Sequence, residues 1–199
     1  MSDIITQLRD DEQYYGEFGK QYLSNSDIGK LLNNPKMYGV SEPDNVNFAK
    51  GRYFHQLILE PQKASEVQSV DVSSRNSKAY KDALLRLDKD FLILDKECRE
   101  IEGLVNTMMG NLDFFDAIRS TGNVYEEPGV GMIKDRLWKG KADIITDEII
   151  IDLKTTSNIK DFKYSAKKYN YDSQCYIYQN LFDKPLVFFV IKKQSGMMG

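Results

Sequence analysis

The stretch ADIITDEIIIDLKTT, residues 142–156, consists almost entirely of β-branched and acidic residues. This composition predicts two adjacent β-strands, because β-branched side chains pack well on a pleated, half-buried surface. Asp143 and Asp152 lie inside the apolar runs, and Lys154 follows two residues after Asp152. Burying two carboxylates and an ammonium group is costly, so their mutual arrangement is the first question that the sequence raises.

A chain reversal near residues 147–148 would join the two strands in a hairpin with a defined register. The predicted pairs are Thr146 with Ile149, Ile145 with Ile150, Ile144 with Ile151, and Asp143 with Asp152. Directly opposed side chains share a face and have Cβ atoms about 4.5–5.5 Å apart, so the two aspartates are predicted neighbours. Lys154 lies on the same face because side chains alternate along a strand. The opposite face, made of Ile149, Ile151 and Leu153, points into a core.

The predicted pair of aspartates needs a compensating interaction, since facing like charges destabilise a sheet and unpaired buried carboxylates cost still more. The two carboxylates could share a proton, Lys154 could neutralise one of them, or a divalent cation could lie between them. Apolar residues on both sides argue against a simply solvated pair. The spacing alone leaves these three alternatives open.

The whole chain has 199 residues, of which 41% are apolar and 29% charged, as is usual for one globular domain. No run approaches the roughly 20 consecutive apolar residues of a membrane helix, so no membrane association is expected. The N-terminal sequence MSDIITQLRDDEQ is acidic and lacks the basic and apolar regions of a signal peptide. These features predict a cytoplasmic protein.

The numbers of cysteines and histidines restrict the metal chemistry. Cys98 and Cys175 are too few for an all-cysteine zinc or iron–sulfur site within one chain, and His55 is the single histidine. Any metal site must therefore be built mainly from carboxylates, which favours Mg²⁺ or Mn²⁺. The net charge of −3 does not by itself indicate a nucleic-acid binder, and the lysines around residues 134–168 are also typical of a solvated surface.

Hydrophobic periodicity and helix-ending residues divide the chain into helices followed by strands. Helices are predicted over residues 24–35, 45–59, 74–90, 95–109, 111–119, 157–168 and 171–182. Strands are predicted over residues 123–127, 136–146, 148–155 and 185–193, with a Gly/Pro bend after the first of them. This order predicts an α/β fold in which helices flank a sheet. Residues 1–20 are predicted to form a polar N-terminal segment, and residues 21–199 a single domain with a helical part (21–120) and a sheet part (121–199).

Asp143 within GKADII, followed by Asp152-Leu153-Lys154 within IIDLKTTS, resembles the two short motifs of the PD-(D/E)XK nuclease superfamily. Three further segments resemble the RecE-like recombination nucleases of the exonuclease VIII type. They are the Gly-x-x-x-His-x-x-x-Leu-Glu-Pro helix in GRYFHQLILEP (51–61), the Ser-rich N-terminal helix in YLSNSDIGKLLNNPKMYG (22–39), and the Gln-x-x-x-Tyr helix in YDSQCYIY (171–178). These matches follow the order of the family over residues 22–192.

The resemblance implies a restriction-endonuclease-like core, with a mixed β-sheet flanked by helices, and a metal site. One or two Mg²⁺ (or Mn²⁺) ions would be bound by Asp143 and Asp152, together with Glu126, His55 and the backbone carbonyl of Leu153. Glu127 is an alternative to Glu126 as the acid of the preceding strand, and Glu126 is preferred for its distance from Asp143. Position 142 is Ala where the first family motif usually has Pro.

The resemblance also assigns roles around the metal. Asp143, Asp152, Glu126 and Lys154 would form the catalytic set, with Lys154 orienting or helping to deprotonate the attacking water. Gln174, Tyr178 and Tyr171 would line the site or contact DNA, and Lys141 and Lys139 would contact phosphates without reading sequence.

The function implied is a metal-dependent DNA exonuclease of phage or bacterial recombination or DNA end processing, in the bacterial host cytoplasm if phage-encoded. Its partners would be DNA and a single-strand annealing protein, and an oligomer is compatible with the resemblance. The alternatives are an endonuclease of the same superfamily and a non-catalytic DNA-binding subunit on a nuclease fold. Another Mg²⁺ enzyme, such as a phosphatase, fits the helical motifs less well.

Overall fold

The computed structural model describes residues 2–40, 43–193 and 195–199. Its α-helices are α1 (Ser2–Leu8), α2 (Asp11–Tyr15), α3 (Asn25–Asn33), α4 (Val46–Leu59), α5 (Pro61–Ser65), α6 (Lys78–Leu87), α7 (Asp95–Met109), α8 (Leu112–Arg119), α9 (Phe162–Lys168) and α10 (Tyr171–Phe182). Its strands are β1 (Ser69–Val70), β2 (Ile93–Leu94), β3 (Val124–Ile133), β4 (Arg136–Ile145), β5 (Ile150–Thr156) and β6 (Leu186–Lys192). Short 3₁₀ helices occur at Gly19–Gln21 and Pro35–Met37.

The main sheet has four strands in the order β3-β4-β5-β6. Strands β3, β4 and β5 are antiparallel neighbours, whereas β5 and β6 are parallel. The parallel pair requires a crossover, and α9 and α10 supply it. The predicted mixed sheet flanked by helices is therefore confirmed. A separate two-stranded parallel sheet joins β1 and β2 across α6. No helix in the described part of the chain is long and apolar enough to cross a membrane.

The hairpin between β4 and β5 has the predicted register as far as it extends. Ile145 pairs with Ile150 and Ile144 with Ile151, and the N–H of Thr146 donates to the carbonyl of Ile149 at 2.9 Å. The Thr146 hydroxyl also accepts the N–H of Ile149, so it closes the turn in place of a glycine. The recorded pairing ends at Ile144–Ile151, so the expected direct pairing of Asp143 with Asp152 is not found.

The sheet is buried on both faces. On one face Ile144, Ile151 and Leu153 have no exposed surface and pack with residues of α4 and α7. On the other face Ile150 packs with Ile177 of α10. The prediction that Ile151 and Leu153 point into a core is therefore confirmed, and their neighbours on the opposite side lie against α10. This two-sided burial fixes the strands that carry the aspartates.

Strand β3 differs from the prediction, because it continues through Pro128 and Gly129 instead of bending there. β3 is an edge strand, and an edge strand tolerates a proline that donates no hydrogen bond to a neighbour. Gly129 is required by packing, since a Cβ atom there would lie 2.6 Å from the ring of Phe182 on α10. The turn that follows has positive φ angles at Lys134 (47°) and Asp135 (61°), as a two-residue hairpin of the type I′ class requires.

The predicted helices agree with the structure most closely where capping residues mark their ends. Asn45 accepts hydrogen bonds from the N–H groups of Asn47 and Phe48 at the start of α4, and Ser24 with Asp27 forms a capping box at the start of α3. Helix α9 begins later than predicted, at residue 162 instead of 157. The residues before it form a turn held by hydrogen bonds of Thr156 and Asn158.

The N-terminal segment contacts the sheet through residues of α1 and α2. Leu8 has no exposed surface and Tyr14 is buried. Arg9 on the segment between α1 and α2 forms a two-point ion pair with Glu127 of β3, with an Nη2–Oε1 distance of 2.7 Å. The N-terminal segment thereby lies beside the strands that carry the predicted site.

Candidate metal and nucleic-acid site

A cleft of about 790 Å³ opens where β3, β4 and β5 separate, between α4 and α10. Its carboxylates are Asp11, Glu60, Glu126, Asp143 and Asp152, and we refer to it as the acidic cleft. His55, Lys141, Lys154, Gln174 and Tyr178 also line it. The structure thus brings eight of the sequence-predicted site residues to one place.

Asp143 lies at a break in both strand ladders. The pairing of β3 with β4 skips the position of Glu126 and Asp143, and the pairing of β4 with β5 ends one residue before Asp143. The side chain of Asp143 replaces the missing main-chain acceptor, because its Oδ2 accepts the N–H of Leu153 at 2.7 Å. Asp143 is therefore held by the neighbouring strand through its carboxylate.

His55 of α4 approaches the same carboxylate, with Nδ1 3.4 Å from Oδ2 of Asp143. Gly51, one helical turn earlier, lies at an open position, since a Cβ atom there would meet no atom within 4 Å. Burial lowers the pKa of His55, but the charge and hydrogen bonding of Asp143, together with the charge of Asp152, offset burial and raise the pKa above its ordinary value. Burial raises the pKa of Asp143, but His55, the charge of Lys154 and the hydrogen bond from Leu153 together outweigh burial and hold the pKa below its ordinary value.

Glu126 occupies a left-handed backbone conformation, with φ of 50°, within strand β3. This conformation is unfavourable for a residue with a Cβ atom, and such strain is typical of functional sites. Burial and the nearby charge of Asp143 raise the pKa of the Glu126 carboxyl to about 7. Glu126 therefore faces the cleft, whereas the neighbouring Glu127 is paired with Arg9.

Asp152 of β5 is 3% exposed and is held from two sides. Its Oδ1 accepts a hydrogen bond of 2.6 Å from Nε2 of Gln174 on α10, and its Oδ2 forms an ion pair with Nζ of Lys154. Burial and the charge of Asp143 raise the pKa of Asp152, although Lys154 opposes them. Oδ2 nevertheless has no partner with hydrogen-bond geometry among the described residues.

Lys154 lies between Asp152 and two aromatic side chains, Tyr171 of α10 and Phe188 of β6. Its Nζ atom is 5.2 Å from the centre of the Tyr171 ring and 5.8 Å from that of Phe188. Burial lowers the pKa of Lys154, but the charges of Asp152 and Asp143 outweigh burial and raise it. Lys154 is therefore a cation at neutral pH. Tyr171, predicted as a lining residue, contacts Lys154 without lining the cleft itself.

The donor atoms in the cleft fit a divalent cation. One ligand atom each of His55, Glu126 and Asp143 lie within 4.8 Å of one another. This set of one imidazole nitrogen and two carboxylates suits Mg²⁺ or Mn²⁺. Asp152, whose Oδ2 is paired with Lys154, lies on the adjoining strand and is not part of this three-residue cluster. The N–H of Leu153 donates a hydrogen bond to Asp143. The role of the Leu153 carbonyl as a metal ligand stays a prediction.

Of the remaining predicted residues, Tyr178 and Lys141 line the acidic cleft and Lys139 does not. Tyr178 donates a hydrogen bond of 2.9 Å to the carbonyl of Lys141. The Nζ atom of Lys141 is 2.5 Å from Oδ1 of Asp11, and 4.6 Å from the centre of the Tyr14 ring. Lys139 does not reach the cleft, because its Nζ donates to the carbonyl of Tyr14 in an adjoining groove, where burial lowers its pKa to about 8.

Eight lining residues were not foreseen as site residues from the sequence, and they are Asp11, Tyr15, Asn47, Phe48, Gly51, Arg52, Gln56 and Glu60. Arg52 lies three residues before His55 on the same helix face, and Gln56 follows Arg52 by four residues, so helical spacing could have indicated both. Glu60 is the C-cap residue of α4. Asp11 and Tyr15 carry no local signal, because they reach the cleft only through the packing of the N-terminal segment on β4.

Comparisons with known proteins are consistent with this geometry. A family model described as a PDDEXK-like domain of unknown function (DUF3799) matches residues 33–195. A crystal structure from Eubacterium rectale, described as a "putative exonuclease", superposes with a TM-score of 0.66 at 18% sequence identity. The alignment covers 96% of this chain and 76% of that one, and at this identity it establishes a shared fold. The search of curated proteins gave no match.

Proposed function

Because the chain belongs to the PDDEXK-like family DUF3799, and so to the PD-(D/E)XK nucleases, we propose that it is a divalent-metal-dependent deoxyribonuclease. The observation that carries this proposal is the cluster of His55, Glu126 and Asp143 beside the Asp152–Lys154 ion pair. The cluster supplies metal ligands, and the ion pair supplies a fixed cation, which are the two elements that phosphodiester hydrolysis needs.

The metal would be held by His55, Glu126 and Asp143, and Asp152 of the adjoining strand would complete the ligand set. When bound, the metal would activate water and stabilise negative charge on the phosphate. Lys154 remains protonated, so its contribution is electrostatic: it faces the developing negative charge and orients the water. Gln174 acts as a positioning residue, since it fixes the carboxylate of Asp152 from the opposite side.

We further propose that the substrate is DNA with a free end and that the activity is exonucleolytic. The support is the RecE-like set of motifs, because His55 and Gln174 lie at their positions in these motifs and both reach the acidic cleft. The E. rectale protein described as a "putative exonuclease" shares the fold. In this proposal the protein works in phage or bacterial recombination, with Mg²⁺ as the metal and a single-strand annealing protein as partner.

The experiment is digestion of end-labelled linear DNA with Mg²⁺, with Mn²⁺ and with EDTA, compared between the wild type and Asp152→Asn. Cleavage that needs the metal and falls at least about a thousandfold in the variant supports the proposal. Asp172→Asn, on the outer side of α10, is the matched control and keeps wild-type activity. Absence of cleavage by the wild type, or equal cleavage by Asp152→Asn, would reject it.

A closed circular substrate separates the two kinds of nuclease. An exonuclease leaves circles intact, whereas an endonuclease nicks them and so would replace the exonuclease proposal. Binding of linear DNA without any turnover would instead indicate a non-catalytic subunit on the nuclease fold.

A further inference from the structure

A second concavity of about 490 Å³ adjoins the acidic cleft, between α2, α3 and β4. The tyrosines that line it are Tyr14, Tyr15, Tyr22, Tyr38 and Tyr178. The lysines that line it are Lys20, Lys30, Lys139 and Lys141. We call it the tyrosine–lysine groove. Tyr15, Lys141 and Tyr178 line both cavities, so the groove is continuous with the cleft.

Charge is segregated between the two cavities. Among the described residues, the groove has a single acid, Asp27, and its Oδ2 accepts the N–H of Ser24 at 2.8 Å in the cap of α3. The acidic cleft, in contrast, contains five carboxylates. A polyanion is repelled by the carboxylates and attracted by the lysines next to them. Of the residues that the structure describes, the cleft sets three cations, Arg52, Lys141 and Lys154, against its five carboxylates, so the groove with four lysines and one acid is the more positive of the two cavities.

The tyrosines of the groove differ in exposure. Tyr15 is 69% exposed and Tyr38 is 45% exposed, whereas the other three are less than a tenth exposed. Tyr15 lies at the boundary with the cleft, and Tyr38 follows the 3₁₀ helix after α3. Exposed aromatic rings bind bases by stacking on their faces, and only an unpaired base leaves a face free for such contact.

We propose that the tyrosine–lysine groove binds single-stranded DNA, with bases stacked on Tyr15 and Tyr38 and phosphates beside the lysines. This inference deepens the proposed nuclease function and rests on it. Tyr15 is the positioning residue at the junction, since it holds the nucleotide that enters the acidic cleft. The strand that is cleaved reaches the metal site unpaired.

The test is binding of a short fluorescein-labelled oligothymidylate, measured by fluorescence anisotropy in EDTA so that no cleavage occurs. Tyr15→Ala and Tyr38→Ala each raise Kd at least about fivefold, as expected for loss of one stacked base. Tyr15→Phe keeps the ring and binds within about twofold of the wild type. The matched control is Tyr176→Ala, because Tyr176 is half exposed on α10 and lines neither cavity.

Two results would overturn the inference: unchanged binding by Tyr15→Ala and Tyr38→Ala, or equal affinity and equal tyrosine dependence for a duplex of the same length. The test also separates this inference from the nuclease proposal. If cleavage depends on metal but binding does not depend on the tyrosines, the proposal for the groove is rejected and the nuclease proposal stands. If the single strand binds in a tyrosine-dependent way but is not cleaved with any metal, the nuclease proposal is rejected and the proposal for the groove stands.

Discussion

Nε2 of Gln174 on α10 donates a 2.6 Å hydrogen bond to Oδ1 of Asp152 on β5, and both side chains are buried. Gln174→Ala leaves that oxygen without its donor, so we expect cleavage activity or metal affinity to fall about 10- to 100-fold. A Mg²⁺ titration of the cleavage rate measures the effect. Gln179→Ala, on an exposed position of the same helix, is the control. If the two variants have the same metal dependence, Gln174 does not position Asp152.

Glu126 combines a carboxylate that lines the acidic cleft with an unfavourable backbone conformation, at φ of 50°. Glu126→Gly and Glu126→Ala both remove the carboxylate, but only glycine adopts this φ without strain. We expect both variants to be inactive and the glycine variant to be about 1 kcal/mol more stable than the alanine variant. Urea unfolding of both proteins measures the difference. An alanine variant at least as stable as the glycine variant would contradict the expected strain.

Glu97 predicts a pH dependence of stability away from the site. Burial raises its pKa, but hydrogen bonds from Arg75, the N–H of Leu94 and Lys50 outweigh burial and lower it from 4.5 to about 2. A lowered pKa stabilises the fold above the unfolded value of 4.5, and this contribution is lost as the pH falls towards 2. Arg75 and Lys50 have 33% exposed side chains, so solvent screening reduces the contribution to on the order of 1–2 kcal/mol.

The variant Glu97→Gln tests this pH dependence. We expect it to be less stable than the wild type at neutral pH, and the gap between the two free energies of unfolding to narrow as the pH falls from 5 towards 2. Urea unfolding at pH 7 and at pH 3 measures the gap. A gap that is constant or grows in acid would show that the carboxylate is not held in its charged form.

Asp11 forms ion pairs with Lys141 at 2.5 Å and with Lys63 at 2.6 Å. Asp11→Asn frees Lys141 for a phosphate and removes one negative charge from the acidic cleft, so we expect single-stranded DNA to bind about two- to fivefold more tightly. Glu12→Gln removes the same charge from an exposed position of α2 and is the control. Anisotropy at several salt concentrations measures both. Weaker binding by Asp11→Asn would show that Asp11 holds Lys141 in place for DNA.

The local sequence was sufficient to predict the β4–β5 hairpin and the helices α3, α4, α7 and α10. Each has a local cause, which is a β-branched run with a short turn or an apolar stripe with a capping residue. The hairpin also predicted that Asp152 and Lys154 lie together. The two motif helices carry His55 and Gln174 to this hairpin through tertiary packing, and the resemblance, not the periodicity, predicted that they would meet there.

Other features depend on contacts between distant parts of the chain. The ion pair of Asp11 with Lys141 joins residues 130 positions apart, and no local pattern encodes it. Strand β3 can continue through Pro128 because it is an edge strand. Its edge position follows from the order of strands in the sheet and cannot be read from the strand propensities of its residues. The break at Asp143 likewise arises because a side chain takes the position of a main-chain acceptor.

Because the Asp143 carboxylate takes the place of a main-chain acceptor, one of its oxygens contributes both to the fold and to the proposed metal site. Oδ2 of Asp143 accepts the Leu153 N–H and also faces His55, so replacing Asp143 would loosen the sheet even in a protein that no longer cuts DNA. A related protein that has lost nuclease activity is therefore expected to keep this aspartate, because the aspartate stabilises the sheet. Glu126 is skipped in the pairing of β3 with β4, and its backbone conformation is unfavourable, so its loss is not expected to weaken the sheet. Among related sequences, loss of the glutamate is thus the better marker of an enzyme that has become inactive.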